Sequence, residues 1–180
     1  KAFENEFRRR GLAKKAVAIV TQTLVDPADP AFQKPTKPIG SHMDEATAKK
    51  LAKQQGWTVA EDAGRGWRRV VPSPRPQSIV DRDVIGFLAR AGYVVVAVGG
   101  GGIPVVAGAS GELRGAEAVI DKDFATSLLA REIKADLLLV STGVPRVAIN
   151  FNKPNQQWLD RMTVSEAKRH YADDQFDRGS

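Results

Sequence analysis

The stretch Val94-Val95-Val96-Ala97-Val98-Gly99-Gly100-Gly101-Gly102-Ile103-Pro104-Val105-Val106 decides how the chain is read. A short, β-branched, polar-free run ends in four glycines, then Ile-Pro and a second apolar run follow. Such a run is expected of a strand buried on both faces of a parallel sheet. Four glycines at its carboxyl end remove every Cβ from the turn, so the backbone is free to take φ > 0 and to approach a ligand closely. Ligands of open α/β sheets bind outside the carboxyl ends of the strands. Successive unshielded N–H groups suit an anion such as phosphate or carboxylate. A tight turn without a ligand is the plainer alternative, but four consecutive glycines after an apolar strand favour a site. The loop is not a G-x-G-x-x-G fingerprint, because position 104 is Pro104, and no G-x-x-x-x-G-K-[ST] occurs.

Working outward, Ser78 to Arg90 predicts a helix leading into this strand, with Ile79, Val84, Ile85 and Leu88 apolar and Gly92 at its end. Beyond the glycines, Val105–Ala107 and Glu112–Gly115 read as a hairpin. Residues 117–121 are read as leading from a strand into a helix that runs to about Ile133. Asp121-Lys122-Asp123 lies at that junction, where a helix N-terminus favours anions and Lys122 adds a positive point charge. Asp123 suits orienting lysines or holding the metal of a metal–nucleotide complex; plain N-capping by an Asp is the simpler reading. Ala135 to Ser141 predicts a second fully buried strand. The small apolar turn after it, Thr142-Gly143-Val144 and on through Val147 to Phe151, suits either a flat aromatic base or ordinary core.

Toward the amino terminus, residues 1–11 read as a helix with Phe3 and Phe7 on one face and Gly11 as its C-cap. Ala16 to Val25 predicts a strand, Asp26 to Pro30 a turn, and the segment through Lys37 to Gly40 an extended loop. Asp44 to Gln55 predicts a helix closed by Gly56, and Trp57 to Glu61 a short strand. In Gly64-Arg65-Gly66-Trp67-Arg68-Arg69, two glycines bracket an arginine. This segment is either a glycine-hinged contact for an anionic ligand or a basic hairpin with Trp67 packed inward. Three prolines within Pro72 to Gln77 suggest a boundary, so that about residues 37–72 form a subdomain inserted in a larger sheet. Asn152–Asn155 reads as a loop, Val164–Tyr171 as a helix and Asp177–Ser180 as a loop.

Composition narrows the function classes. With 180 residues, 42% hydrophobic and 27% charged, the chain suits one globular α/β domain with a small insertion. No apolar run is long enough for a transmembrane span, and the first ten residues have no apolar signal core. Cys is absent, so disulfides and thiol chemistry are excluded and the cytoplasm is the default expectation. The net charge of +6 permits nucleic-acid binding, but the bases are dispersed and no RNA-binding or zinc-finger spacing occurs; anionic small substrates are preferred. Only His42 and His170 exist, neither in a catalytic or metal-binding pattern, which argues against zinc and serine hydrolases.

Several ordered motifs together carry a resemblance. They are Asn5-Glu6-Phe7 with Gly11, Val20-Thr21-Gln22-Thr23 through Phe32, Pro35-Thr36-Lys37-Pro38-Ile39-Gly40, Glu61 through Pro74, Gly99 through Val105, Glu117 through Asp123, and Gln157-Trp158-Leu159. In this order they resemble carbamate kinases, of the amino acid kinase superfamily, over essentially the whole chain. The resemblance implies a three-layer αβα sandwich around a mainly parallel sheet, with a small protruding subdomain at about residues 37–72. It implies a homodimer, ATP or ADP with Mg²⁺, and reversible phosphoryl transfer between ATP and carbamate. In it, Lys37 reaches the active site from the subdomain, and Lys122 and Asp123 contact phosphates and position the catalytic lysines. Gly99 to Gly102 lie beside the transferred phosphate and carbamate, and Arg65 belongs to the carbamate branch's basic segment. Thr142, Gly143, Val144, Val147 and Phe151 lie near adenine. No protein metal ligand is assigned.

The family also has an amino-terminal strand ending in Gly-Gly-Asn, a His-Gly-Asn-Gly loop, and a Met-x-Pro-Lys motif after the position of Ser180. None occurs in this sequence. The expectation is a central portion of such a kinase that is inactive by itself. Gly40-Ser41-His42-Met43 and Phe151 also depart from the usual residues. The alternatives are a paralogue acting on another acid acceptor and a catalytically inactive nucleotide-binding or regulatory homologue.

Overall fold

A computed structural model describes residues 1–62 and 64–176. Ala63 and the expected terminal loop 177–180 lie outside the described residues. The chain divides into two units, Lys1–Leu138 and Leu139–Ser180.

In the first unit, α1 (Ala2–Arg9) carries Phe3 and Phe7 on one face, ring centroids 6.2 Å apart, and Gly11 follows at φ +64°. Strands β1 (Ala16–Ala18) and β2 (Gln22–Val25) come next, then a 3₁₀ turn at Pro30–Phe32 whose cap Asp29 accepts from the Ala31 N–H. Residues from Lys37 to Val71 make their own antiparallel sheet. It contains β3 (Lys37–Met43), β4 (Thr58–Glu61) and β5 (Trp67–Val71) in the order β3-β5-β4, with α2 (Glu45–Gln55) packed on β4 and β5. Helix α2 forms where the sequence punctuates it: Asp44 accepts from the Thr47 N–H at 2.8 Å, and Gly56 ends it at φ +66°.

The chain then returns through β6 (Pro76–Ile79), α3 (Arg82–Arg90), β7 (Val94–Val96), β8 (Ile103–Ala107), β9 (Leu113–Gly115) and α4 (Lys122–Glu132). A four-stranded sheet runs β6-β2-β8-β9, and β1 pairs separately with β7. The central pair β2·β8 of the four-stranded sheet and the separate pair β1·β7 are parallel, and the flanking pairs β2·β6 and β8·β9 are antiparallel. Val25, Ile79, Ile85, Val98, Ile120, Ala125, Leu128 and Leu129 form the buried core. It therefore joins β2, β6, α3, the glycine loop and α4, and burial of these apolar side chains fixes the loop against the helix.

The second unit contains a hairpin of β10 (Val147–Ile149) and β11 (Gln157–Leu159), then α5 (Val164–Ala172). Phe151 and Trp158 meet edge to face at 6.3 Å. Thr163 and Glu166 form a reciprocal capping box at the start of α5.

Several expected elements are corrected. The single strand Ala16–Val25 is two strands in two sheets. Between them the Thr21 hydroxyl donates to the Ile19 carbonyl, a local bond that competes with a continuous ladder. Lys37 lies not in a loop but at the start of β3, where Pro38 is tolerated because β3 is an edge strand. The helix expected from Ser78 gives way to β6, and α3 begins only at Arg82. Strand β7 is not buried on both faces; its sole ladder partner among the described residues is β1, and Val96 is exposed. Residues 117–121 form no strand; a tight turn bond runs from the Ala118 N–H to the Ala116 carbonyl at 2.9 Å. Ala135–Ser141 is likewise no strand: Leu137 and Leu139 are 80% and 84% exposed. Apolar, β-favouring residues become a strand only when another strand takes up their N–H and C=O groups.

Candidate functional site

The four glycines divide into two physically different pairs. Gly101 (φ +100°) lies so close to Ile120 that a Cβ would stand 2.5 Å from the Ile120 carbonyl oxygen. At Gly102 (φ +85°) a Cβ would strike the Thr23 hydroxyl. These two are therefore glycine because protein packs against them. Gly99 and Gly100 have nothing within 4 Å and face open space. The four glycines thus form an open pair and a packed pair. Val98, just before them, is held at φ +48°, a left-handed conformation that is rare for a β-branched residue.

Two buried threonines hold this loop, and the sequence reading assigned neither a role in it. Thr21 Oγ1 accepts from the Val98 N–H at 2.9 Å, and Thr23 Oγ1 donates to the Gly101 carbonyl at 2.8 Å. The signal was present in Thr21-Gln22-Thr23, since alternating hydroxyls in an apolar strand must find partners when buried.

The Ile120 backbone that closes on Gly101 leads directly into the first turn of α4. Asp121 Oδ1 caps that helix by accepting from the Asp123 N–H at 2.9 Å. Its other oxygen, Oδ2, accepts from Lys37 Nζ at 2.6 Å. Lys122 Nζ donates to Asp123 Oδ1 at 2.8 Å. The glycine loop, Lys37, Lys122 and Asp123 are thereby gathered at one helix N-terminus, where backbone N–H groups and the helix dipole favour anions. Burial raises the Asp121 carboxyl pKa, but the hydrogen bonds from Lys37 and the Asp123 N–H outweigh it and hold the group below the usual carboxylate range. The hydrogen bond to Asp123 pushes the Lys122 ammonium pKa up.

No contact among the described residues brings Arg65 to this cluster. It lies exposed between β4 and β5 and donates to Asp62 at 2.9 Å, while Asp62 also takes His42 at 2.9 Å and Arg68 at 3.3 Å. The bond from His42, then that from Arg65, lowers the Asp62 pKa. The segment is a basic hairpin, and the Arg65 side chain is exposed. In the second unit, Thr142, Gly143 and Val144 lie in irregular backbone, Val147 opens β10, and Phe151 sits in the hairpin turn against Trp158.

The sequence profile of the Amino acid kinase family matches residues 28–180. The chain belongs to the amino acid kinase family. Among relatives, it is 56% identical to a carbamate kinase of Thermococcus kodakarensis, over 99% of this chain and 56% of that protein. It is 51% identical to a carbamate kinase-like protein, YqeA, of Escherichia coli, over 99% and 57% respectively. A solved carbamate kinase from Giardia lamblia bound to citric acid superposes with a TM-score of 0.89 at 43% identity, over 99% of this chain and 56% of that one. The same enzyme bound to AMP-PNP superposes at 0.86 and 44% identity, over 99% and 57%. The chain thus spans little more than half the length of the relatives it matches. The expected α/β fold of this family is the fold it shares with them.

Proposed function

We propose that this amino acid kinase chain is part of a carbamate kinase, transferring a phosphoryl group reversibly between ATP and carbamate. The observation that carries the reading is the Lys37–Asp121 bridge, which brings a lysine from β3 to the N-terminus of α4 beside Lys122 and the open glycines. In the ATP-forming direction, a β-phosphate oxygen of ADP attacks the phosphorus of carbamoyl phosphate. The bond from phosphorus to the carbamate oxygen breaks, and carbamate leaves with its electron pair. Such transfer depends on positioning and charge neutralisation more than on covalent help. Lys37 and Lys122 supply positive charge to the transferred group, the backbone at Gly99 to Gly102 lies along it, and Asp123 orients Lys122. Arg65 meets the substrate anion by exchanging Asp62 for it.

Adenine is assigned to the second unit, at Thr142, Gly143, Val144, Val147 and Phe151. Mg²⁺ enters with the nucleotide as part of the substrate. Residues 37–72 are read as the family's protruding subdomain, within one kinase domain that includes both units. A cytoplasmic homodimer in arginine metabolism completes the reading.

The likeness to a carbamate kinase-like protein favours the second reading, a paralogue or an inactive nucleotide-binding homologue. The deciding assay is luminescent detection of ATP from carbamoyl phosphate and Mg-ADP with the intact protein. ATP formed with carbamoyl phosphate supports the carbamate reading. ATP formed only with another acyl phosphate supports the paralogue, and nucleotide binding without any transfer supports the inactive homologue.

A further inference from the structure

We infer that Asp121 is the positioning residue for Lys37, a role separate from that of Asp123, and this rests on the phosphotransfer reading above. The two carboxylates at the start of α4 each hold a different lysine: Asp121 takes Lys37 at 2.6 Å and Asp123 takes Lys122 at 2.8 Å. They are not equivalent. The Asp123 pair is exposed on both sides, whereas the side chains of Lys37 and Asp121 are 31% and 29% exposed. Exposed ion pairs hold geometry poorly, and half-buried ones with a second hydrogen bond hold it better.

Asp121 is itself fixed in three ways. Its Oδ1 is committed to the Asp123 N–H, so the carboxylate plane is set by the helix. That helix is anchored in the core by Ala125, Leu128 and Leu129. The preceding residue, Ile120, is 1% exposed and lies against Gly101 with no room for a Cβ. A flexible four-carbon lysine stem is thus referenced, through one carboxylate, to the glycine loop as well as to the helix. One of the three ammonium donors is occupied by Asp121, which leaves two for phosphoryl oxygens. The bridge also crosses 84 residues of sequence, tying the β3-β5-β4 sheet to α4. Plain helix capping requires only Oδ1 and explains none of the contact at Oδ2.

The capping and positioning roles separate by substitution. Asp121→Asn keeps a good N-cap acceptor and removes the charge that holds Lys37. Asp121→Ser also caps but is too short to reach Lys37. Both are made in the intact protein, alone and together with Lys37→Ala, and kcat and KM are measured for ATP formation from carbamoyl phosphate and Mg-ADP. Each Asp121 variant alone is expected to lower kcat by about 10- to 100-fold, with KM for ADP changed by less than about threefold. In the Lys37→Ala background the same changes are expected to lower kcat by less than about threefold further, because the group through which Asp121 acts is already gone. Losses that multiply in the double variants, or a kcat within about twofold of wild type in both single variants, overturn the inference. A wild type that forms no ATP from carbamoyl phosphate or any other acyl phosphate overturns the phosphotransfer reading, and this inference with it; an active wild type with multiplying losses overturns this inference alone.

Discussion

Two alanine substitutions only two residues apart are expected to fail in opposite ways. At Gly101 the backbone sits at φ +100° and a methyl group would stand 2.5 Å from the Ile120 carbonyl oxygen and 2.8 Å from its Cβ. Both obstacles belong to a residue that is 1% exposed, so neither gives way easily. Left-handed strain costs about 1–3 kcal/mol, and overpacking a filled site a further about 1–3 kcal/mol. Gly101→Ala therefore loses about 2–6 kcal/mol, a large share of an ordinary domain's stability. Gly99 has no positive φ and nothing within 4 Å. Gly99→Ala should be neutral or stabilise by about 0.4–1 kcal/mol, through a less flexible unfolded chain. Its methyl group, however, projects where the substrate phosphate is assigned, so transfer activity should fall while the fold persists. Urea unfolding followed by circular dichroism, with ATP formation assayed on the same samples, reads both effects. A Gly101→Ala protein with the wild-type unfolding midpoint would refute the packing argument. A Gly99→Ala protein with wild-type turnover would refute the proposal that the substrate phosphate lies against the open pair.

Thr23→Val removes the donor to the Gly101 carbonyl at a fully buried site and should destabilise the fold by about 1–3 kcal/mol, with Thr23→Ser recovering much of it in urea titrations. For pH, the folded Asp121 carboxyl lies below its unfolded value, so between the two values the unfolded state binds more protons. Its contribution is present above the unfolded pKa of about 3.9 and is lost as pH falls through the lowered folded value. The stability gap between wild type and Asp121→Asn should accordingly shrink as unfolding is measured from about pH 6 to about pH 3, whereas a constant gap would remove the ion pair as its cause. Thr163→Ala opens the capping box of α5 and should cost about 1 kcal/mol, seen as faster amide exchange in residues 164–167 than in the hairpin of β10 and β11.

Much of the fold was legible where local chemistry decides it. Asp44 and Gly56 bound α2 because capping and left-handed glycine are local effects. The Gly-Ala-Ser-Gly turn between β8 and β9 and the helix beginning at Asp121-Lys122 were legible for the same reason. The apolar segments were misread wherever a distant neighbour decides. Leu137 to Leu139 have the composition of a buried strand, yet no described strand takes up their backbone groups. Ser78 and Ile79, apolar-patterned as a helix start, pair with Leu24 and Thr23 in β6·β2 instead.

The candidate site divides along the same line. By itself, the sequence determined which residues carry charge and which positions lack a Cβ: Lys37, Lys122, Asp123 and Gly99 to Gly102, with the motif order that marks an amino acid kinase. Tertiary structure alone decided that Lys37 pairs with Asp121 and not Asp123, that Ile120 claims Gly101, and that Thr23 claims Gly102. These contacts cross 78 and 84 residues in the Thr23–Gly101 and Lys37–Asp121 bonds. Over such separations spacing carries no information about distance, and only the burial of one shared core brings the partners together.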